Sequence, residues 1–318
     1  MRGLSWLGVL LGGLAVAVVA VRAQAGARDA NGAQGAAGAS DAPGAQGAAG
    51  APDARRARGA AVRPSAVGRE QAFGQWLWTA RDRDVFTRAR LAHPELVAAV
   101  LIGTIECAGG VLHTKRGLSP LSAGDGPRAL VVRLSDSVQA CVALEAPAEF
   151  SRILDERLST LLSDVRASGA RFAELQLDYD APVSKLESWA NALAYLNAHS
   201  LRGLELWITS LPAHIEQANY GALMQGLIAG HIIQVFDTGL RCDAENAQHL
   251  RAALQAQRIP YRVGYGTFER KGVSAQYSHA CWLGLTRSWR TAPGASGWWL
   301  FPAGIGYGES LAQLTAAE

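Results

Sequence analysis

Eight short runs rich in β-branched and aromatic residues recur along the chain, and most gaps between them carry apolar residues at helical spacing. The runs are Gly74 to Trp78, Ala98 to Ile105, Ala129 to Leu134, Glu174 to Asp178, Leu204 to Thr209, Ile232 to Asp237, Tyr261 to Tyr265 and Trp298 to Phe301. Between the third and fourth, Asp155 to Arg166 places Leu158, Leu161, Leu162 and Val165 on one helical face. Ala213 to Ala229 and Asp243 to Gln257 behave alike. Strands that alternate with helices pair in parallel, because a helix is the usual crossover between parallel neighbours. Eight such strands within residues 69–318 predict an α/β fold closed as a (β/α)8 TIM-type barrel. An open doubly wound sheet is the competing arrangement. Gly109 to Asp125 is rich in Gly and Ser and predicts an irregular insertion, while Gln139 to Leu144 is expected to pair with the third strand as a hairpin outside the barrel.

The amino end is of another kind. Arg2, the apolar run Leu7 to Val21 and the small-x-small site Ala23-Gln24-Ala25 predict a signal peptide over residues 1–25, with an uncleaved anchor as the alternative. Residues 26–68 are Ala, Gly, Asp, Pro, Gln and Arg almost throughout, with a near-repeat beginning at Gly32 and again at Gly44. With no bulky apolar residue before Val62, such a segment cannot bury enough surface to offset its ordering entropy, so a disordered linker is expected there. The protein is therefore expected to be exported, periplasmic or secreted, with no membrane span left after cleavage. The net charge of +3 is small and the basic cluster Arg55-Arg56-Ala57-Arg58 lies in the linker, so no nucleic-acid partner is expected.

Within the barrel, Glu174-Leu175-Gln176-Leu177-Asp178-Tyr179-Asp180 alternates strictly. Side chains on a strand point to opposite faces in turn, so Gln176, Asp178 and Asp180 share one face and Leu175, Leu177 and Tyr179 the other. In a parallel barrel this places the apolar set under the helices and the acids at the carboxyl mouth, where such barrels hold their chemistry. Capping of the following helix is the commonest duty of an Asp there. Ser184-Lys185-Leu186-Glu187, however, fits a capping box and is expected to take that duty instead. The ends of other strands add Glu106, Thr209 or Ser210, Asp237 and Glu269. Carboxylates in excess, with no nucleophile and histidine pair, fit acid/base cleavage of a glycosidic bond. We therefore expect Asp178, Asp180, Glu106 and Asp237 to carry catalysis, and Gln176, Trp76, Trp78, Trp207, Gln234, Tyr265 and Trp298 to contact a carbohydrate ligand, aromatic faces stacking on sugar rings.

Other chemistries are disfavoured. The seven histidines show no metal-protease spacing and no two cysteines form a Cys-x-x-Cys pair, so no metal is expected. Gly-x-Ser-x-Gly is absent, and Gly264-Tyr265-Gly266-Thr267 and Gly304-Ile305-Gly306-Tyr307 lack the third glycine of a dinucleotide fingerprint, so no cofactor is expected either. Cys107, Cys141, Cys242 and Cys281 permit two disulfides in an exported protein; at least one is expected, with Cys107 and Cys141, which flank the insertion, as first choice.

The runs Leu175-Gln-Leu-Asp-Tyr-Asp-Ala181, Trp207-Ile-Thr-Ser-Leu211 and Gln234-Val-Phe-Asp-Thr-Gly239, with Trp76-x-Trp78, resemble the exported bacterial family known as domain of unknown function 3142. The likeness covers most of residues 72 to 302 and implies a glycosidase-type barrel without an established substrate. A more distant similarity is to chitinase-type barrels, whose fourth strand ends in Asp-x-Asp-x-Glu. On that pattern Asp178 and Asp180 take the two Asp positions and Pro182 falls where the acid belongs. Pro cannot donate a proton. The functional expectation is thus a glycoside hydrolase-like barrel, with a non-catalytic polysaccharide-binding or scaffold barrel of the cell envelope as the alternative.

Overall fold

The computed structural model describes residues 72–316, apart from 124–127, 145, 173, 237, 268–278, 302–303 and 305. The expected signal peptide and linker lie outside the described residues. Among these, one sheet of nine strands contains β1 (Ala72–Leu77), β2 (Val97–Ala108), β3 (Val111–Arg116), β4 (Arg128–Leu134), β5 (Glu174–Asp178), β6 (Glu205–Ser210), β7 (Gly230–Gln234), β8 (Tyr261–Tyr265) and β9 (Ala295–Leu300). All but β3 run parallel, and β1 pairs with both β9 and β2, so eight strands close into a barrel. The helices are α1 (Ala80–Ala92), α2 (Val138–Leu144), α3 (Pro147–Ala167), α4 (Leu186–Ala198), α5 (Pro212–Ile215), α6 (Tyr220–Met224), α7 (Ala244–Gln257), α8 (His279–Thr286) and α9 (Tyr307–Thr315). None of them is long and apolar enough to cross a membrane.

Alternation along the strands creates two separate apolar clusters. Leu175, Leu177 and Tyr179 join Leu130, Val132 and helix residues such as Leu158, Leu162 and Leu193 in a large outer core. Each such side chain, fully buried, contributes about 1.5–3 kcal/mol. The opposite face fills the lumen with Trp76, Trp207, Trp299, Phe301, Ala99, Ala129, Val131 and Ile232. The rings fit because glycine stands opposite them: a Cβ on Gly74 would lie 1.8 Å from the Trp299 ring, and one on Gly230 would lie 2.4 Å from that of Trp207.

Local readings that relied on short patterns are corrected. Gln139 to Leu144 is not a strand but part of α2, whose Val138 and Cys141 are buried one turn apart; a seven-residue apolar run does not distinguish the two by periodicity. The hairpin partner is instead β3, from within the stretch read as irregular, and it pairs with β2 rather than with the third barrel strand. Gly109 and Gly110, both at positive φ, make its turn. Ala213 to Ala229 holds two short helices, α5 and α6, in place of one long one. Ser184 caps nothing: it lies in the 3-10 turn Val183–Lys185, and α4 begins without a side-chain cap. Cys107 is bonded to Cys141 and Cys242 to Cys281.

Candidate active site

Strand β5 delivers Glu174, Gln176 and Asp178 to the lumen side, with Asp180 just beyond its end. The lower members are held within the barrel. Arg262 of β8 crosses the lumen to donate two hydrogen bonds to Glu174, 2.6 and 2.9 Å long, while its guanidinium lies 3.6 Å from the Trp207 ring centroid. Gln176, fully buried, donates to Glu174 at 2.7 Å. Gln176 and Arg262 are buried in the core, and Glu174 is partly buried at the amino end of the lumen, away from the mouth.

The mouth is organised around Asp178, which is 6 % exposed. Its Oδ1 accepts from the Thr209 hydroxyl of β6 at 3.1 Å and from the Gln234 amide of β7 at 3.4 Å. Thr209 in turn accepts from the Tyr179 backbone N–H at 3.1 Å, which fixes the hydroxyl's direction. Arg133, opposite Asp178 in the register of β4 and β5, holds its Nε 3.7 Å from Oδ2, an attraction without a close hydrogen bond. Burial raises the Asp178 carboxyl to about 7; Asp180 and Asp136 add to the rise, and Arg133 and Thr209 oppose it. Burial also raises Asp180, against the pull of Arg133. The Asp180 Oδ1 is enclosed and takes no hydrogen bond among the described residues.

The loop that carries Asp180 is pinned from behind. His214 of α5 accepts from the Leu211 N–H at Nδ1, 3.2 Å, so its proton sits on Nε2 and is donated to the Ala181 carbonyl at 2.7 Å. Burial lowers the His214 pKa, in keeping with a neutral ring. Asp136 is fixed from the other side: Ser135 N–H donates to the Ile105 carbonyl at 2.9 Å, and the Ser137 hydroxyl accepts from the Cys107 N–H at 2.9 Å. The Cys107–Cys141 disulfide joins the same two elements.

Of the residues expected at the site, the structure brings together Asp178, Asp180, Gln234 and Trp78. Glu106 shares the lumen-side register of Thr104 but stands one step higher, past the last residue of β2 that pairs with β4, in the projecting hairpin formed by β2 and β3. Trp76 and Trp207 are lumen packing with no exposed surface. Trp298 and Tyr265 point away from the lumen into the outer core, where the Tyr265 hydroxyl meets that of Thr286 at 2.8 Å. They cannot stack on a ligand at the mouth, because on their strands the lumen positions belong to Trp299 and Gly264. Asp237 and Glu269 lie outside the described residues. Pro182 leads into the 3-10 turn and supplies no acid.

Three contributors were not expected: Arg133, Asp136 and His214. Arg133 had a legible signal, a charge in the alternate series Ala129, Val131, Arg133 on a barrel strand; the other two depend on loops whose course no local pattern shows. Among the described residues no group of three or more His, Cys, Asp or Glu is arranged to hold a metal ion. A cleft of about 250 Å³, lined by Phe73, Glu95, Arg290 and the end of α9, lies by the amino ends of the strands, on the side away from these acids.

A closed parallel barrel wrapped by helices is a (β/α)8 TIM-type barrel, and comparison with solved structures agrees on the fold. The chitinase of Chromobacterium violaceum matches with a TM-score of 0.55 and 13% identity over 78% of this chain and 100% of its own. The spore cortex-lytic enzyme SleL of Bacillus cereus matches with 0.52 and 12% over 78% and 75%, and a fungal endo-beta-N-acetylglucosaminidase of glycosyl hydrolase family 18 with 0.50 and 13% over 76% and 96%. At these identities the likeness establishes the fold. In sequence, residues 126–278 match the family described as domain of unknown function (DUF3142). No curated protein sequence matches the chain.

Proposed function

We propose that this barrel is a glycoside hydrolase that works by carboxyl acid/base chemistry at its mouth. The observation that carries the reading is the pair Asp178 and Asp180, in which the inner carboxyl is buried, hydrogen-bonded and raised to about 7. Two like charges so placed hold one proton between them near neutral pH. Asp178, the member raised to about 7, holds that proton and gives it to the leaving glycosidic oxygen as the glycosidic bond breaks. Asp180, ionised and the more exposed of the two, with an enclosed, unbonded oxygen, stabilises the positive charge that develops on the sugar ring and takes a proton from the water that bonds to that ring carbon. Because the donor is lost as the pair ionises, activity falls on the alkaline side of about pH 7.

Polymers of N-acetylglucosamine are the first substrates to try, since chitinases and an endo-beta-N-acetylglucosaminidase share the fold. Two disulfides suit an oxidising compartment and support export, with an envelope or extracellular carbohydrate as the target. The test is release of reducing ends from chitin, peptidoglycan and other envelope polysaccharides by the full chain. Asp178→Asn and Asp180→Asn should each lower turnover by about 10²-fold or more. Turnover that survives both substitutions would remove the assignment. The absence of an acid at Pro182 favours one second reading, a barrel that binds polysaccharide without cleaving it; the same variants would then weaken binding with no turnover to lose.

A further inference from the structure

Trp78, at the end of β1, reaches Asp178 only through Arg133. The guanidinium lies 5.0 Å from the Trp78 ring centroid on one side and 3.7 Å from the Asp178 carboxylate on the other. The Arg133 side chain is about one-third exposed, 36 %, and its guanidinium makes no hydrogen bond among the described residues. The ring and the Asp178 carboxylate are therefore the two contacts that fix where its charge stands, and the ring backs it on the side away from the acid. An arginine without such a contact spreads over many rotamers and carries its charge into water.

Asp178 is placed to feel the difference. The charged groups that face it are Asp180 on its own loop, Arg133 from β4 and Asp136 from the turn after β4; β6 and β7 contribute the neutral Thr209 and Gln234, and β1 contributes Trp78. Arg133 is thus the one cation among the described groups acting on this carboxyl, against two acids.

We propose that Trp78 is a positioning residue: by holding Arg133 against the Asp178–Asp180 pair it sets how readily the pair takes up a proton. A sugar ring that stacked on this face of Trp78 would displace Arg133, and the pair would gain its proton as the ligand arrived. That consequence rests on the carbohydrate reading above; the coupling between ring and carboxyl does not.

The experiment needs no ligand. The full chain is labelled at the aspartate carboxyl carbons, the Asp178 signal is assigned by its loss in Asp178→Asn, and its midpoint is followed against pH. Arg133→Gln should raise the midpoint by about 0.5 in pH, the effect of a partly exposed pair worth less than about 1 kcal/mol. Trp78→Leu should raise it in the same direction by a smaller amount, Trp78→Phe should fall between leucine and wild type because its ring holds a cation less well, and the double variant Trp78→Leu/Arg133→Gln should match Arg133→Gln alone. A leucine variant that titrates like the wild type, or a double variant in which the two shifts add, would overturn the proposal. Should the leucine variant not fold, the Arg133 Nε–H signal of the wild-type protein decides. Stacking displaces it from the position of a solvated arginine and makes it follow the Asp178 midpoint; an undisplaced, pH-independent signal overturns the proposal equally.

Discussion

The barrel carries the same three residue types twice, an arginine, a carboxylate and a tryptophan, and the two groups differ in how tightly they are joined. At the amino end of the lumen, Arg262 makes two short hydrogen bonds to Glu174 and lies 3.6 Å from the Trp207 ring centroid. At the mouth, Arg133 stands 3.7 Å from Asp178 and 5.0 Å from the Trp78 ring. The inner pair is bidentate, with both Glu174 oxygens bonded, which suits a part that only holds strands together. The outer carboxyl is buried more deeply but incompletely matched, so burial and its acidic neighbours raise its pKa. Loose pairing keeps that carboxyl available for proton exchange.

The contrast can be broken first through stability. Arg262→Met should cost about 3–5 kcal/mol in urea unfolding, because it leaves Glu174 buried without its partner, and the double change Arg262→Met/Glu174→Leu should recover most of that loss. Reduction of the disulfide joining Cys107 to Cys141, which closes a separation of 34 residues beside the mouth, should cost about 2–4 kcal/mol. Thiol counting on the denatured, unreduced protein should find no free cysteine; four free thiols would end that expectation.

Asp178→Asn sharpens the comparison through pH. The folded-state pKa, about 7, lies above the ordinary value, so between about pH 4 and pH 7 the folded protein holds a proton that the unfolded chain releases. Stability contributed by this group therefore falls as pH rises through that window, and the cost of the buried charge is fully present above it. The asparagine variant should match the wild type near pH 4 and exceed it at pH 8 by roughly 1–3 kcal/mol. Equal stability at pH 8 would mean that the carboxyl is not strained by burial. The smallest effect is expected from Arg133→Gln, less than about 1 kcal/mol, since a pair this exposed is screened by water; a loss as large as that of Arg262→Met would erase the distinction between the two groups.

The alternation in Glu174 to Asp180 was enough to place Asp178 at the barrel mouth and Leu175, Leu177 and Tyr179 in the outer core, because a strand has only two faces. The same rule could not place the tryptophans. Trp298 and Trp299 are neighbours in sequence, yet one packs in the outer core and the other in the lumen, and which is which depends on the register between strands. Nor could it show that Ser184 would enter a 3-10 turn, or that the stretch after Gly110 would form an edge strand, since both choices rest on contacts with distant segments.

Sequence by itself determined the number and order of the barrel strands, the acids at the end of β5 and the proline where a further acid might have stood, all properties carried by local periodicity and residue type. Tertiary structure decided which arginine each carboxylate meets. Arg262 and Glu174 are 88 residues apart, and Arg133 and Asp178 are joined only by strand pairing. Closure of the sheet sets those distances, and in a buried lumen a difference of about one ångström separates a satisfied ion pair from a carboxyl that can still exchange its proton.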